Sequence, residues 1–294
     1  MATKPRAPVI PLFRRVTEDE EEEAVLASPP RPTSITTAFQ GQAIDLEGRA
    51  PAWFLIGPNY SGKTTFARWV GWTSHEGGRY PLLAALDPTN RTLTLFFDNV
   101  AQPPSADATQ TAAWLREMVR HLMREKSSAL LDMGGGDTAL GKVVESAPSL
   151  ATEMQDAGVA PVAAYFLGPR IDDLSGLESF EKAGFQPAAT ALILNHARVD
   201  VGLDPTEAFT SIRRHSVFRS AVDRGAIVLE MPRLDPPELA LEIERKRLSF
   251  GHAMAGTVPD GRKVAPITGL DRVSVRTWLS RMEFAFEPVR KWLP

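Results

Sequence analysis

The hydrophobic positions change period along the chain. From about residue 50, short apolar runs bounded by Gly, Pro or Asp alternate with stretches in which apolar side chains recur every three or four residues. The runs at 53–56, 82–86, 129–133, 162–167, 191–194 and 226–230 are predicted strands. Leu115, Met118, Val119, Leu122 and Met123 fall on one face of a helix. Further helices are expected over 65–73, 139–157, 174–183, 206–222 and 237–249. A last helix is expected over 273–293, with Trp278, Leu279, Met282 and Phe286 along one side. Strands that are apolar throughout, each followed by a helix, predict an α/β fold: a mostly parallel sheet with helices on both faces.

Residues 1–40 break this pattern. Pro5, Pro8, Pro11, Pro29, Pro30 and Pro32 punctuate them, and an acidic run extends from Glu18 to Glu23. Such a segment buries too little apolar area to offset its ordering entropy, so a disordered tail is expected before a single domain at 41–294. The tail is either a solvated linker or a docking arm for a protein partner, with Val9, Ile10, Leu12 and Phe13 as its anchor.

Composition narrows the class. The 294 residues are 43% hydrophobic and 23% charged, ordinary for a soluble globular protein. No window approaches the 18 or so apolar residues of a membrane span, and no secretory leader is expected. The absence of Cys excludes disulfides, thiolate metal sites and a Cys nucleophile, and fits a cytoplasmic location. Net charge is −3 and indicates no nucleic-acid partner, but it is uneven. Residues 210–294 carry 15 Lys and Arg against 10 Asp and Glu, including Arg213, Arg214, Arg219, Arg245, Lys246, Arg247, Arg262 and Lys263. Those cations are either solvated helix faces or a local surface for DNA phosphates.

The sharpest signal is Gly57-Pro58-Asn59-Tyr60-Ser61-Gly62-Lys63-Thr64, a match to G-x-x-x-x-G-K-[ST] between an apolar run and a helical stretch. The glycines allow backbone N–H groups to turn around phosphate oxygens, and the helix N-terminus adds partial positive charge. Lys63 is placed to reach the β- and γ-phosphates, and Thr64 to ligate Mg²⁺. Gly57, Asn59, Tyr60, Ser61, Gly62 and Thr65 complete the predicted nucleoside triphosphate cradle.

Two further strand ends carry carboxylates. Asp132 closes an apolar run ahead of Gly134-Gly135-Gly136, a Walker B arrangement in which it holds Mg²⁺ and Gly135 approaches the γ-phosphate; the alternative is a strand end and a plain turn. Asp137 either caps the next helix or touches ligand. Asp87 of Asp87-Pro88-Thr89-Asn90-Arg91 either orients the attacking water or opens a turn. Asn195 and the loop at Pro232 follow the last two strands; each is a base contact or a strand terminator. The asparagine is followed by His196-Ala197-Arg198 and lacks the Asp of a guanine motif, which favours adenine. His75, His121, His215 and His252 show no metal-ligand spacing.

Together IGPNYSGKTTF, ALDPTNRTL, LLDMGGGDTAL, LILNHARV and LEMPRLDP, in that order over roughly residues 50–250, resemble the ParA/MinD family of P-loop ATPases in the SIMIBI class. The nearest likeness is to plasmid-borne StbB- and TraL-like stability and mobilisation proteins. The resemblance implies an ATP-driven, slowly hydrolysing switch that forms a nucleotide-dependent homodimer in DNA partition, mobilisation or positioning. It implies Asp87 in switch I beside the hydrolytic water, Asp132 as the Mg²⁺-linked switch II aspartate, and Asn195 with Pro232 at adenine. The family's signature lysine follows the first glycine of the loop; here that position is Pro58, with Arg170 and Arg198 as candidate stand-ins. The competing expectation is a P-loop kinase acting on a small-molecule or nucleotide acceptor, with 198–219 as its lid.

Overall fold

The computed structural model describes residues 44–87, 92–134 and 138–294. The tail expected at 1–40, and Thr89, Asn90, Arg91, Gly135 and Asp137, lie outside the described residues.

The apolar runs form strands β1 (Ala50–Ile56), β2 (Leu82–Ala85), β3 (Val100–Ala101), β4 (Ala129–Asp132), β5 (Val159–Leu167), β6 (Ala189–Asn195) and β7 (Ile227–Met231). They lie in one sheet in the order β3-β2-β4-β1-β5-β6-β7, and every pairing is parallel. Parallel neighbours require crossovers, supplied by α1 (Lys63–Glu76), α2 (Ala108–Glu125), α3 (Thr138–Ser146), α4 (Leu150–Asp156), α5 (Ser175–Lys182), α6 (Pro205–Ala208), α7 (Thr210–Arg214) and α8 (Ser216–Asp223). After β7 come α9 (Pro237–Arg245), α10 (Phe250–Ala255) and α11 (Gly269–Phe286).

Alternation along β1 shows why its run is apolar throughout. Trp53 and Leu55 face one core with Phe66, Trp69 and Val70 of α1 and Trp278, Met282 and Phe286 of α11. Phe54 and Ile56 face the other, with Leu115, Val119 and Leu122 of α2, Leu140 of α3 and Met154 of α4. A strand buried on both faces has no position for a polar residue. The α/β fold with helices on both faces is therefore present. Aromatic rings fill the first core: Phe66 lies 5.4 Å from Trp53, 5.8 Å from Trp69 and 5.0 Å from Phe286, centroid to centroid. The C-terminal segment is tied down by Trp53 Nε1 donating to the Trp292 carbonyl at 2.6 Å and Trp292 Nε1 donating to the Ile44 carbonyl at 2.7 Å.

Some elements differ from expectation. The helix expected over 139–157 is two, because Pro148 lacks the N–H that would continue the first. The one expected over 206–222 is three, with His215 extended (ψ 138°) and its Nδ1 accepting from Val217 N at the start of α8. The C-terminal helix ends at Phe286, and a 3₁₀ turn containing Pro288 continues to Trp292. Strand β3 has two residues, too short for a periodic signal, and α10 was not expected; Ser249 caps it by accepting from His252 N at 3.1 Å. No helix among the described residues is long and apolar enough to cross a membrane.

Register sets the site. Asp132 pairs with Leu55 on one side and Ala85 on the other, so the C-terminal ends of β1, β2 and β4 are level. The loops after the parallel strands open at that single edge.

Candidate functional site

The loop between β1 and α1 is shaped by two glycines that no other residue could replace without strain. Gly57 has φ +150°, and a Cβ there would stand 2.7 Å from the Phe166 carbonyl of β5. Gly62 has φ +101°, and a Cβ there would stand 2.4 Å from Asn195 Nδ2. Tyr60, between them, also has positive φ (62°) and is 86% exposed. Gly62→Ala is expected to lower stability by about 1–3 kcal/mol, from left-handed backbone strain and the displaced Asn195 amide. Urea unfolding of the two proteins at one pH checks this; equal midpoints would show that the loop relaxes freely.

Helix α1 starts at Lys63 with no side-chain cap and no acidic residue in its first turn. Its first N–H groups and positive dipole end are thus directed at the loop, where an anion would complete them. Lys63 is 7% exposed and folds back over the loop, Nζ donating to the carbonyls of Gly57 at 2.7 Å and Pro58 at 2.9 Å. Thr64 Oγ1 donates to Asp132 Oδ2 at 2.7 Å, joining the loop to the end of β4. Asp132 is 6% exposed, and burial pushes its carboxyl up to about 6, against the Thr64 hydrogen bond and the Lys63 charge, which both lower it. The Asp87 carboxylate nearby adds to the rise. Gly134 gives Asp87 room: a Cβ on Gly134 would stand 3.4 Å from Asp87 Cα.

These groups border one cavity of about 350 Å³. Asn59, Tyr60, Ser61, Gly62, Lys63, Thr64, Thr65, Asp87, Asp132, Asn195 and Pro232 all line it; Gly57 lies behind the loop against β5. Asn195 is 2% exposed; its Nδ2 donates to the Ser61 carbonyl at 2.7 Å and its Oδ1 accepts from Ala197 N at 2.9 Å. It therefore braces the loop from β6, a role its position at a strand end did not signal. The Pro232 carbonyl accepts from Trp278 Nε1 at 2.9 Å, which fixes the β7 loop against α11.

Two arginines also reach the cavity wall. Arg68 is 5% exposed, with its guanidinium 3.5 Å from the Phe96 ring centroid and 4.9 Å from that of Phe250. Its Nη1 lies 3.8 Å from Glu244, and burial lowers its pKa to about 10, still cationic at neutral pH. Arg68 is four residues after Thr64, a spacing that places both on one helix face and so could have marked it. Arg198, in the 3₁₀ turn after β6, is the second.

Thr64 and Asp132 offer hard oxygens, the donors Mg²⁺ takes. Among the described residues no three His, Cys, Asp or Glu are grouped to hold a metal without help, so its other ligands would come from phosphate and water. Of the basic residues singled out in the C-terminal part, Arg213 pairs with Glu230, Lys246 with Glu242 at 2.6 Å, and Arg262 donates to the Lys246 and Arg247 carbonyls. Neither a protein-family model nor a curated protein sequence matches the chain.

Proposed function

We propose that the chain is a ParA/MinD-like P-loop ATPase: an ATP-dependent switch in plasmid or DNA partition, mobilisation or intracellular positioning. The observation that carries this reading is the convergence of Lys63, Thr64, Asp87 and Asp132 on one cavity, in front of an uncapped helix N-terminus. Three loops from three adjacent strand ends supply them, and only the parallel order β2-β4-β1 brings those ends side by side.

In this reading the N–H groups at the start of α1 and the Lys63 ammonium bind the phosphates, with Lys63 exchanging its loop carbonyls for phosphate oxygens. Thr64 and Asp132 would hold Mg²⁺, which when bound would supply positive charge to neutralise the phosphates. Asp87 accepts a hydrogen bond from the attacking water and aligns it with the γ-phosphorus. Asn195 keeps the loop in register, and the Pro232 loop forms the wall against adenine. Loss of the γ-phosphate removes the group on which Lys63, Asp87 and Asp132 converge, the switching step.

A nucleotide-dependent homodimer over the cavity is supported by two exposed apolar side chains on its wall, Tyr60 of the loop after β1 and Leu241 of α9, 86% and 69% exposed. Large apolar side chains grouped on a surface favour association. Contact with DNA phosphates would rest on Arg214, Arg219, Arg245, Arg247 and Lys263, and partner docking on the N-terminal tail.

Asp87→Ala is the test. It is expected to lower ATP turnover at least about tenfold while ATP binding persists. Light scattering on that variant is expected to show the mass doubling with ATP and Mg²⁺ only. Unchanged turnover would remove Asp87 from the mechanism, and transfer of phosphate to an added acceptor would replace the switch with a kinase.

A further inference from the structure

We infer that Arg198, in the 3₁₀ turn after β6, is a ligand for the phosphates of the nucleotide. This rests on the nucleotide reading of the cavity and adds to it a residue outside the loop motif.

Four basic side chains line the cavity among the described residues: Lys63, Arg68, Arg198 and Arg233. Three are engaged. Lys63 holds the loop carbonyls, Arg68 lies against the Phe96 and Phe250 rings beside Glu244, and Arg233 pairs with Asp235 at 2.7 Å and donates to the Val199 carbonyl at 3.3 Å. Among the described residues Arg198 makes no side-chain hydrogen bond and no ion pair, and its Nε is buried without an acceptor. That Nε is packed beside Gly168, 3.5 Å from where a Cβ there would stand, which holds the side chain in place; an oxyanion in the cavity would give the guanidinium the partner it otherwise lacks.

Its position agrees. Gly57 packs on Phe166, two residues before Gly168 on the same segment, and a Cβ on Gly168 would stand 3.2 Å from Arg198 Cβ. Arg198 therefore flanks the Gly57–Pro58 side of the loop. Its backbone is tied to the loop as well, since Asn195 bonds both Ala197 N and the Ser61 carbonyl. The carboxylate of Asp173 lies across Gly168, with Oδ2 buried and unpartnered in its turn, yet the two do not form an ion pair. An oxyanion in the cavity gives Arg198 a charge-assisted bond, for which the planar guanidinium is suited.

The experiment measures ATP affinity by calorimetric titration, and thermal midpoint without nucleotide, for the wild type, Arg198→Gln and Arg198→Lys. ATP affinity is expected to fall at least about tenfold in Arg198→Gln, with partial recovery in Arg198→Lys and no loss of nucleotide-free stability. Should the glutamine variant fold poorly, Arg198→Met, which keeps the apolar stem, carries the same expectation. ATP affinity within about threefold of wild type in a folded neutral variant would overturn the inference alone. A lowered thermal midpoint with unchanged affinity would overturn it likewise and assign Arg198 to the fold. Failure of the wild type to bind ATP would remove the nucleotide reading and this inference with it.

Discussion

Lys63→Ala is expected to weaken ATP binding by at least about a hundredfold while the protein stays folded, because two charge-assisted bonds at 1.5–3 kcal/mol each are lost and tenfold corresponds to 1.4 kcal/mol. The asymmetry follows from where the ammonium sits. Without nucleotide it donates to the carbonyls of Gly57 and Pro58, acceptors in a loop at the protein surface, and water can replace it there. In the proposed nucleotide complex it would face phosphate oxygens inside a cleft, where water cannot replace its charge. Titration calorimetry with ATP and Mg²⁺, alongside far-ultraviolet circular dichroism, measures both halves. Affinity within threefold of wild type would place the phosphates elsewhere.

Asp132→Asn is expected to act in opposite directions on activity and stability. Turnover should fall at least about a hundredfold, since the variant loses the anionic oxygen proposed for Mg²⁺. The nucleotide-free protein should become more stable at neutral pH. Burial raises the Asp132 carboxyl from its ordinary 3.8 to about 6, so folding favours the protonated acid. The resulting stabilisation is present below pH 3.8 and is lost as pH rises through about 6. Two units correspond to roughly 3 kcal/mol between those limits. Urea midpoints at pH 5 and 7.5 should therefore diverge, the asparagine variant gaining on the wild type at the higher pH. A variant less stable than wild type at pH 7.5 would show that the Thr64 hydrogen bond outweighs burial of the charge.

The sequence was most legible where one physical requirement dominates. Trp53 to Ile56 are apolar because both faces of β1 are buried, and that alone implies covering layers on both sides. The two glycines around Tyr60 announced a loop needing left-handed backbone. Elements that take their stability from neighbours left weaker traces. The two residues of β3 are held by pairing with Leu83 and Ala84, and nothing in Val100-Ala101 signals it. Proline at 148 was visible, but the apolar period on either side of it is continuous enough to suggest one helix.

The site was legible at its ends and obscure at its braces. Lys63, Thr64, Asp87 and Asp132 sit in motifs with a recognisable spacing, and they do meet at one cavity. Asn195 was expected at a base, while both ends of its amide are bonded within the protein, a property of side-chain direction that position alone does not convey. The spacing from Thr64 puts Arg68 on the loop's helix face, but nothing in the sequence signals that it is buried. Its burial depends on Phe96 and Phe250, distant in the chain, whose rings both lie against the guanidinium.

The most direct measurement is a calorimetric titration of the wild-type protein with ATP in the presence of Mg²⁺. The account predicts one saturable site per chain with micromolar or tighter affinity, abolished by chelating the metal or by Lys63→Ala. No binding at millimolar ATP, or binding indifferent to Lys63, would contradict it.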